Sequence, residues 1–257
     1  MKRLQTIRTR VLPLLAAALL ALLVVWVALA PSESRLGNLV KLVFVHGALV
    51  WSGLLAFTLA GALSLVALLA YHLMGAVAPA TGRRAAPQAR ALGRARAPVR
   101  SMAPAWYRGA ESAGLAALVV WVAYVISSMA VTGLAWGQVV AWNEPRVQAT
   151  GLILLAALVL FIVARLVANR DFTAVVNLLM GIVPWVVVKQ AGVIRHPVDP
   201  IGGSESAAIQ LFYGLILLTV VGLTLTLIAW LWAGTDLRAD SPPEIVEGTP
   251  AHPPAGA

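Results

Sequence analysis

The feature that most constrains this chain is a set of long apolar runs that are almost free of charge. Six such runs occupy residues 11–30, 38–74, 112–135, 147–167, 172–188 and 207–233. Each is about as long as, or longer than, the helix needed to cross a lipid hydrocarbon core. Only 11% of the residues are charged, whereas a soluble domain carries about 25%. The sequence therefore predicts an all-α fold, a polytopic membrane helix bundle with six transmembrane helices.

Basic residues flank these runs in a pattern that indicates topology. Residues 1–10 and 75–110 carry 11 of the 19 Lys and Arg residues and no acidic residue. The positive-inside rule predicts that both segments are cytoplasmic, as are both termini. Residues 11–233 then form the membrane domain, with 75–110 as a flexible basic loop that faces anionic lipid headgroups. The tail, residues 234–257, is rich in Pro, Gly and acidic residues and is predicted to be disordered.

Composition and motif content disfavour several classes of function. The chain has no cysteine, which excludes disulfides, thiol chemistry and thioether attachment of haem. The net charge is +9, and the basic residues that produce it flank the membrane runs. We therefore expect contact with lipid and no nucleic-acid binding. No phosphate-binding loop or nucleophile–base signature is present, and we expect no enzyme activity. Residues 11–30 allow two interpretations, an uncleaved first helix, which their length favours, and a signal peptide.

The loop at residues 136–146, WGQVVAWNEPR, is unusual for a connection between two membrane helices. Trp136 and Trp142 offer planar apolar faces, and Arg146 can hold a carboxylate through two parallel hydrogen bonds. This combination suits a flat, apolar molecule that carries carboxylates. The alternative is an interfacial aromatic belt, because Trp is enriched at headgroup depth.

Two of the four histidines fall on the same predicted outer face as this loop. His46 begins the second helix and His196 precedes the sixth. Each alone suits a structural role, but a pair beside two tryptophans suggests axial ligands for the iron of a planar macrocycle. Haem is such a macrocycle, and its propionates would pair with Arg146, Arg195 or Lys189. Zinc is a weaker alternative, because it takes three or four protein ligands in most sites.

The remaining ionisable residues of the membrane domain lie near predicted helix ends. Lys41, Glu111 and Arg165 are in such positions, whereas a proton- or ion-coupled transporter more often carries buried acids near the midplane. His72 ends the second run, where we expect an interfacial packing role. His252 is expected to be a solvated residue of the tail.

These motifs resemble the haem-handling membrane proteins of cytochrome c maturation, the CcmC and CcsA types, and most closely the six-helix CcmC type. That family has a His at the start of helix two and a Trp five residues later, as His46 and Trp51 are here. Its outer loop has the form Trp-Gly-x-Trp-Trp-x-Trp-Asp-x-Arg. Here Trp136 opens the loop, Trp142 takes the later Trp position, and Arg146 closes it one residue further on.

A second outer histidine completes the resemblance, which extends over about residues 10–233. In the family it lies in a Leu-His-Gln-Pro-like context, and here His196 lies in the similar sequence RHP. The chain departs from the family pattern in the loop, where residues 138–140 are QVV instead of including two tryptophans and Asn143 replaces an aspartate. Residues 191–194 also lack the aromatic pair that usually precedes the second histidine.

The resemblance implies a haem-presenting subunit of a bacterial or archaeal cytoplasmic (inner) membrane. It would hold b-type haem non-covalently and transiently at the outer face. The residues that it assigns are the iron ligands His46 and His196 and the cofactor-binding residues Trp51, Trp136, Trp142 and Arg146. The implied partners are a haem chaperone or apocytochrome c, ABC-transporter subunits and other cytochrome c maturation proteins.

Two other functions remain open from the residues themselves. One is a permease-type membrane subunit for another solute, in which the tryptophans form an interfacial belt. The other is a membrane cytochrome b-like anchor, although such proteins usually place paired histidines within facing helices at membrane depth.

Overall fold

The computed structural model describes residues 2–73, 87–195 and 201–239. Every regular element within these ranges is helical, and six helices are long and apolar enough to cross a membrane. The prediction of an all-α fold with six helices of transmembrane length and apolar composition is confirmed.

The bounds of the helices follow the predicted runs closely. The elements are α1 (Lys2–Thr6), a π-helical turn π1 (Ile7–Val11), α2 (Leu12–Leu29), α3 (Leu39–Leu68), a second π-helical turn π2 (Leu69–Leu73), α4 (Pro87–Trp136), α5 (Pro145–Val167), α6 (Arg170–Gln190) and α7 (Ala207–Ala239). The first span is continuous through α1, π1 and α2, and the second through α3 and π2. Each of the six predicted runs therefore corresponds to one span.

Two segments extend the helices beyond the sequence-based bounds. Residues 87–110 of the predicted basic loop belong to α4, so the prediction of a flexible loop is wrong for them. Ala and Arg favour helix, and Pro87 takes the first position, where a missing N–H costs nothing. α7 continues to Ala239 rather than ending at 233. The rest of the loop, 74–86, and of the tail, 240–257 with His252, lies outside the described residues.

The helix α3 is the centre of the bundle. Twelve residues of α3 are buried, whereas Leu12 alone is buried in α2, and α3 packs against α4, α6 and α7. One core cluster joins α3 to α4, α5 and α6 through Phe57, Trp121, Ile153 and Met180. A second cluster joins α2, α3 and α7, with Phe44 at its centre. The first span therefore lies at the periphery, covered on one side by α7.

The backbones of α3 and α6 approach each other most closely at two glycines. A Cβ added to Gly61 would lie 3.1 Å from the Gly181 Cα, and a Cβ added to Gly181 would lie 3.1 Å from the Gly61 Cα. Small residues at a helix crossing allow this approach, which increases van der Waals contact where lipid provides no hydrophobic driving force. The position of α6 against the central helix depends on this pair.

The substitution Gly181→Val is expected to destabilise the bundle by about 1–3 kcal/mol, the usual cost of overpacking a close contact. The neighbouring atoms belong to backbone and cannot rotate away. Thermal unfolding of the detergent-solubilised protein measures the effect. Gly151→Val is the matched control, because a Cβ at Gly151 meets no heavy atom within 4 Å. Equal stability of the two variants would contradict the close crossing.

Candidate functional site

The loop between α4 and α5 has a defined conformation at one end of the bundle. α4 ends at Trp136 because Gly137 adopts φ of 70°, a left-handed conformation that glycine accepts without a Cβ clash. Thr132 Oγ1 donates a hydrogen bond to the carbonyl of Val139 at 2.7 Å, which ties the loop to the last turns of α4. Glu144 closes the loop as the N-cap residue of α5.

Glu144 joins this loop to a second one. Its side chain is buried, with a relative exposure of 1%, and its carboxylate accepts backbone N–H bonds from Ile194 at 3.2 Å and Arg195 at 2.8 Å. Hydrogen bonds to an ionised carboxylate are about twice as strong as neutral ones. We call this contact the Glu144 junction. It holds the segment that follows α6 against the loop that follows α4.

The Glu144 junction brings a cation over a tryptophan. The Cζ atom of Arg195 lies 5.9 Å from the ring centroid of Trp136, within the range of a cation–π contact. Lys189, the other predicted cation of this segment, is exposed at the end of α6. His196 follows Arg195 directly in the chain and lies outside the described residues.

His46 lies two turns inside α3 rather than at its first residue, because the apolar residues before it continue the helix back to Leu39. Its half-buried ring packs on Tyr124 of α4, with 4.8 Å between ring centroids. Nδ1 lies 3.1 Å from Ser127 Oγ, which itself donates its proton to the carbonyl of Tyr124 at 2.7 Å. Ser127 Oγ therefore accepts from Nδ1–H, and in the neutral imidazole Nε2 carries the lone pair.

Arg146 lies in the first turn of α5. One turn further along α5, Thr150 makes two hydrogen bonds to α4, with Tyr124 Oη at 2.9 Å and Trp121 Nε1 at 3.2 Å. The Nε atom of Arg146 is buried and has no hydrogen-bond partner among the described residues. Leaving a buried donor unsatisfied costs about 1–3 kcal/mol. This guanidinium is therefore suited to bind a carboxylate, and its helix is bound through Thr150 to Tyr124, on which His46 packs.

The other two predicted tryptophans lie at the margins of this region. Trp142 is 69% exposed, and Gln148 Nε2 donates to its backbone carbonyl at 2.6 Å. Trp51 packs against Trp185 of α6, with 5.8 Å between ring centroids, and lies five residues further from the loop than His46 does. Neither side chain belongs to the packed part of the site.

Sequence reasoning missed three residues that organise this end of the bundle. Glu144 was noticed only as a member of the loop, although Pro145, a residue favoured at the first helical position, marks Glu144 as the residue before the start of α5. Tyr124 and Ser127 share one face of α4 at a spacing of three residues. Nothing in the sequence pairs them with His46, which is 81 residues away from Ser127.

The opposite end of the bundle has its own polar contacts. Asp171 accepts a hydrogen bond from Tyr107 Oη at 2.6 Å, and its second oxygen lies 2.8 Å from His72 Nε2. His72, for which we expected an interfacial packing role, thus takes part in a polar contact that joins π2, α4 and α6. Glu111 and Arg165 form a salt bridge of 2.9 Å nearby.

The substitution Glu144→Ala is expected to release residues 191–195 from the loop, because two backbone donors lose a shared acceptor. Amide hydrogen exchange of the peptide that contains Ile194 and Arg195 should accelerate by about tenfold or more. Mass spectrometry of the exchanged protein measures this rate.

Glu33→Ala is the matched control for this experiment. The carboxylate of Glu33 also binds two backbone N–H groups, those of Leu36 and Arg35, and the bond from Leu36 contributes most to lowering its pKa. Its loss should leave exchange at 191–195 unchanged. Unaltered exchange at 191–195 in Glu144→Ala would contradict the Glu144 junction.

No protein-family model matches the sequence, and a search of the curated proteins finds no match. The likeness to the CcmC type therefore rests on the motifs of the chain and on its six-span architecture.

Proposed function

We propose that this chain is a haem-presenting membrane subunit of cytochrome c maturation, of the CcmC type. It holds haem at the outer face of a bacterial or archaeal cytoplasmic membrane for delivery to a haem chaperone or apocytochrome c. In this proposal both termini are cytoplasmic, so that the loops of residues 136–146 and 191–195 face outward. ABC-transporter subunits and other maturation proteins are its neighbours in the membrane.

The observation that carries the proposal is the Glu144 junction. The two loops that bear the family-like motifs are distant in sequence, yet Glu144 binds the backbone of Ile194 and Arg195. Arg195 then lies over Trp136. An aromatic belt does not require a buried carboxylate that joins two outer loops. A binding site that the two loops share calls for a contact of this kind, because both loops must keep a common geometry.

The environment of His46 supports a role as an iron ligand. Its Nδ1–H is donated to Ser127, so that the lone pair needed for a bond to iron is on Nε2. Hydrogen bonding of the second nitrogen is the usual way to fix the tautomer and the orientation of a ligating histidine. His196 is the second ligand in the proposal, following the anchored Arg195 in the chain.

Two arginines support the binding of a dicarboxylate. Arg146 has a buried Nε without a partner within the described part of the chain, and a guanidinium is well matched to a carboxylate. Arg195 provides a second positive charge beside the aromatic face of Trp136. Trp142 and Trp51 would contact the edges of the macrocycle, because both are partly exposed at the margin of the site.

The proposed site combines residues on helices with residues on loops, which would allow bound haem to be released. His46 and Arg146 are on helices, whereas Trp142 and residues 191–195 are on loops. Helices keep the ligand atoms in place, and loops can open without disturbing the bundle. Haem would be held by His46 and His196 through its iron and by Arg146 and Arg195 through its propionates. Its release would call for loss of the histidine ligands and opening of the loops.

Purified protein that takes up haemin is expected to show a Soret band and sharp α and β bands on reduction. His46→Ala and His196→Ala should each weaken haemin affinity by about tenfold or more, since each removes one axial ligand. Absorption titration of the protein in detergent measures this. His72→Ala is the matched control, because His72 lies at the other end of the bundle. Equal haemin binding by all four proteins would contradict the proposal and favour a permease-type subunit.

Arg146→Gln is expected to lower the affinity for haemin by about tenfold, the effect of losing one charge-assisted hydrogen bond. The affinity for haemin dimethyl ester, which has no free carboxylate, should change little. Arg35→Gln, which removes the same charge from another loop, is the control. An equal loss of affinity for both porphyrins in Arg146→Gln would show that Arg146 acts through folding instead of through a propionate.

A further inference from the structure

A cavity lies at the end of the bundle that is remote from the Glu144 junction. It has a volume of about 230 Å³ and is enclosed by α4, α5, α6 and the short turn between α5 and α6. The turn is tight because Ala168 adopts a left-handed φ of 51° and Asn169 caps α6 by accepting a hydrogen bond from Phe172 N–H. The geometry of this turn therefore sets one wall of the cavity.

The polar side of this cavity carries three charged residues. Arg165 and Arg170 are basic and exposed, and Glu111 forms a salt bridge with Arg165. The side chain of Arg165 keeps a relative exposure of 68% in that salt bridge, so that the guanidinium remains accessible to a second anion. The net charge of these three residues is positive.

The other side of the cavity is apolar and open to lipid. Leu115 is exposed on the surface of α4, and Phe161 is half-buried on α5. Polar and apolar walls therefore follow one another along the helix axis. An amphipathic molecule with a charged head and an apolar body matches this order, whereas a small soluble anion would leave Leu115 and Phe161 without a partner.

Asn177 lies at the inner end of the cavity wall. It is 1% exposed and lies seven residues after Arg170, about 10 Å further along α6 at 1.5 Å per residue. Its Oδ1 atom lies beside Gly114 of α4, where an added Cβ would clash with it. Asn177 therefore belongs to the end of the cavity that Leu115 and Phe161 line, away from Arg165 and Arg170.

We propose that this cavity binds the headgroup of a membrane phospholipid. Arg165 and Arg170 pair with the phosphodiester, and a donor on the headgroup, an ammonium or a hydroxyl, reaches the carboxylate of Glu111. The acyl chains lie along Leu115 and Phe161. Basic pockets between helices at the cytoplasmic side of membrane proteins bind lipid headgroups in this way. The proposal is independent of haem handling, since it uses residues at the other end of the bundle.

Native mass spectrometry of the full-length protein can test the proposal with three phospholipids that share the same acyl chains. Phosphatidylethanolamine and phosphatidylglycerol have headgroup donors, whereas the quaternary ammonium of phosphatidylcholine has none. We expect the first two to bind at least about tenfold more tightly than phosphatidylcholine, the difference made by one charge-assisted hydrogen bond to Glu111. Equal binding of all three lipids would overturn the recognition of a donor.

Variants separate the phosphate contacts from the donor contact. The double substitution Arg165→Gln and Arg170→Gln should weaken binding of both donor-bearing lipids by about tenfold. Arg3→Gln with Arg10→Gln is the matched control, because both arginines are exposed on the first span and the same charge is removed. If the two double variants bind lipid equally, the phosphate site is refuted.

Glu111→Ala should abolish the preference for the donor-bearing lipids over phosphatidylcholine while phosphate pairing persists. A preference that survives this substitution would refute the role of Glu111. Soluble glycerophosphoethanolamine tests the source of the headgroup. Its failure to displace the lipid at comparable concentrations supports a lipid site, and effective displacement would mean that a free phosphodiester is the ligand.

Discussion

Lipid offers no hydrogen-bond partners to a backbone, and each membrane-spanning segment that the structure describes meets this constraint by forming a helix. Several threonines within the spans meet it in the same way. The hydroxyls of Thr58, Thr224 and Thr226 donate to carbonyls one turn earlier in their own helices. Side chains that need partners from other elements are concentrated toward the ends of the bundle, and the two candidate sites are there for that reason.

The middle of the bundle is a tightly packed core that holds the helices in place, and the two candidate sites lie outside it. α3 and α6 approach through Gly61 and Gly181, and the aromatic and apolar residues around Phe57 fill the space between four helices. α3 extends from this core in both directions. It carries His46 toward one end and continues into π2, which carries His72, toward the other. Displacement of α3 would therefore alter both ends at once.

The two ends use buried polar groups in different ways. At the Glu144 junction, the carboxylate is satisfied by backbone donors from another loop, so that its role is to hold two loops together. Arg146 and Asn177 are the opposite case, because each has a buried polar atom without a partner among the described residues. Burial of an unsatisfied group lowers stability. For Arg146, a ligand that carries a carboxylate would provide the missing partner.

The sequence by itself determined the class of fold and the six spans, because the length and apolar character of each run leave a helix as the only structure that suits lipid. It also singled out His46, Trp136 and Arg146, whose residue types are unusual for membrane loops and helix ends. It mistook residues 87–110 for a loop, because the arginines there indicated topology while their helix propensity was not weighed.

Only the tertiary structure decided which residues contact one another at the end of the bundle. The contacts of Glu144 with Ile194 and Arg195, and of His46 with Tyr124 and Ser127, connect positions 50 or more residues apart. The packing of α3 against α4 and of α5 against α6 creates them. Hydrophobic periodicity identifies a helix, but in lipid every face of a spanning helix is apolar, so the pattern carries little information about which faces meet. The small residues and polar contacts that select those faces become evident only once the helices are packed.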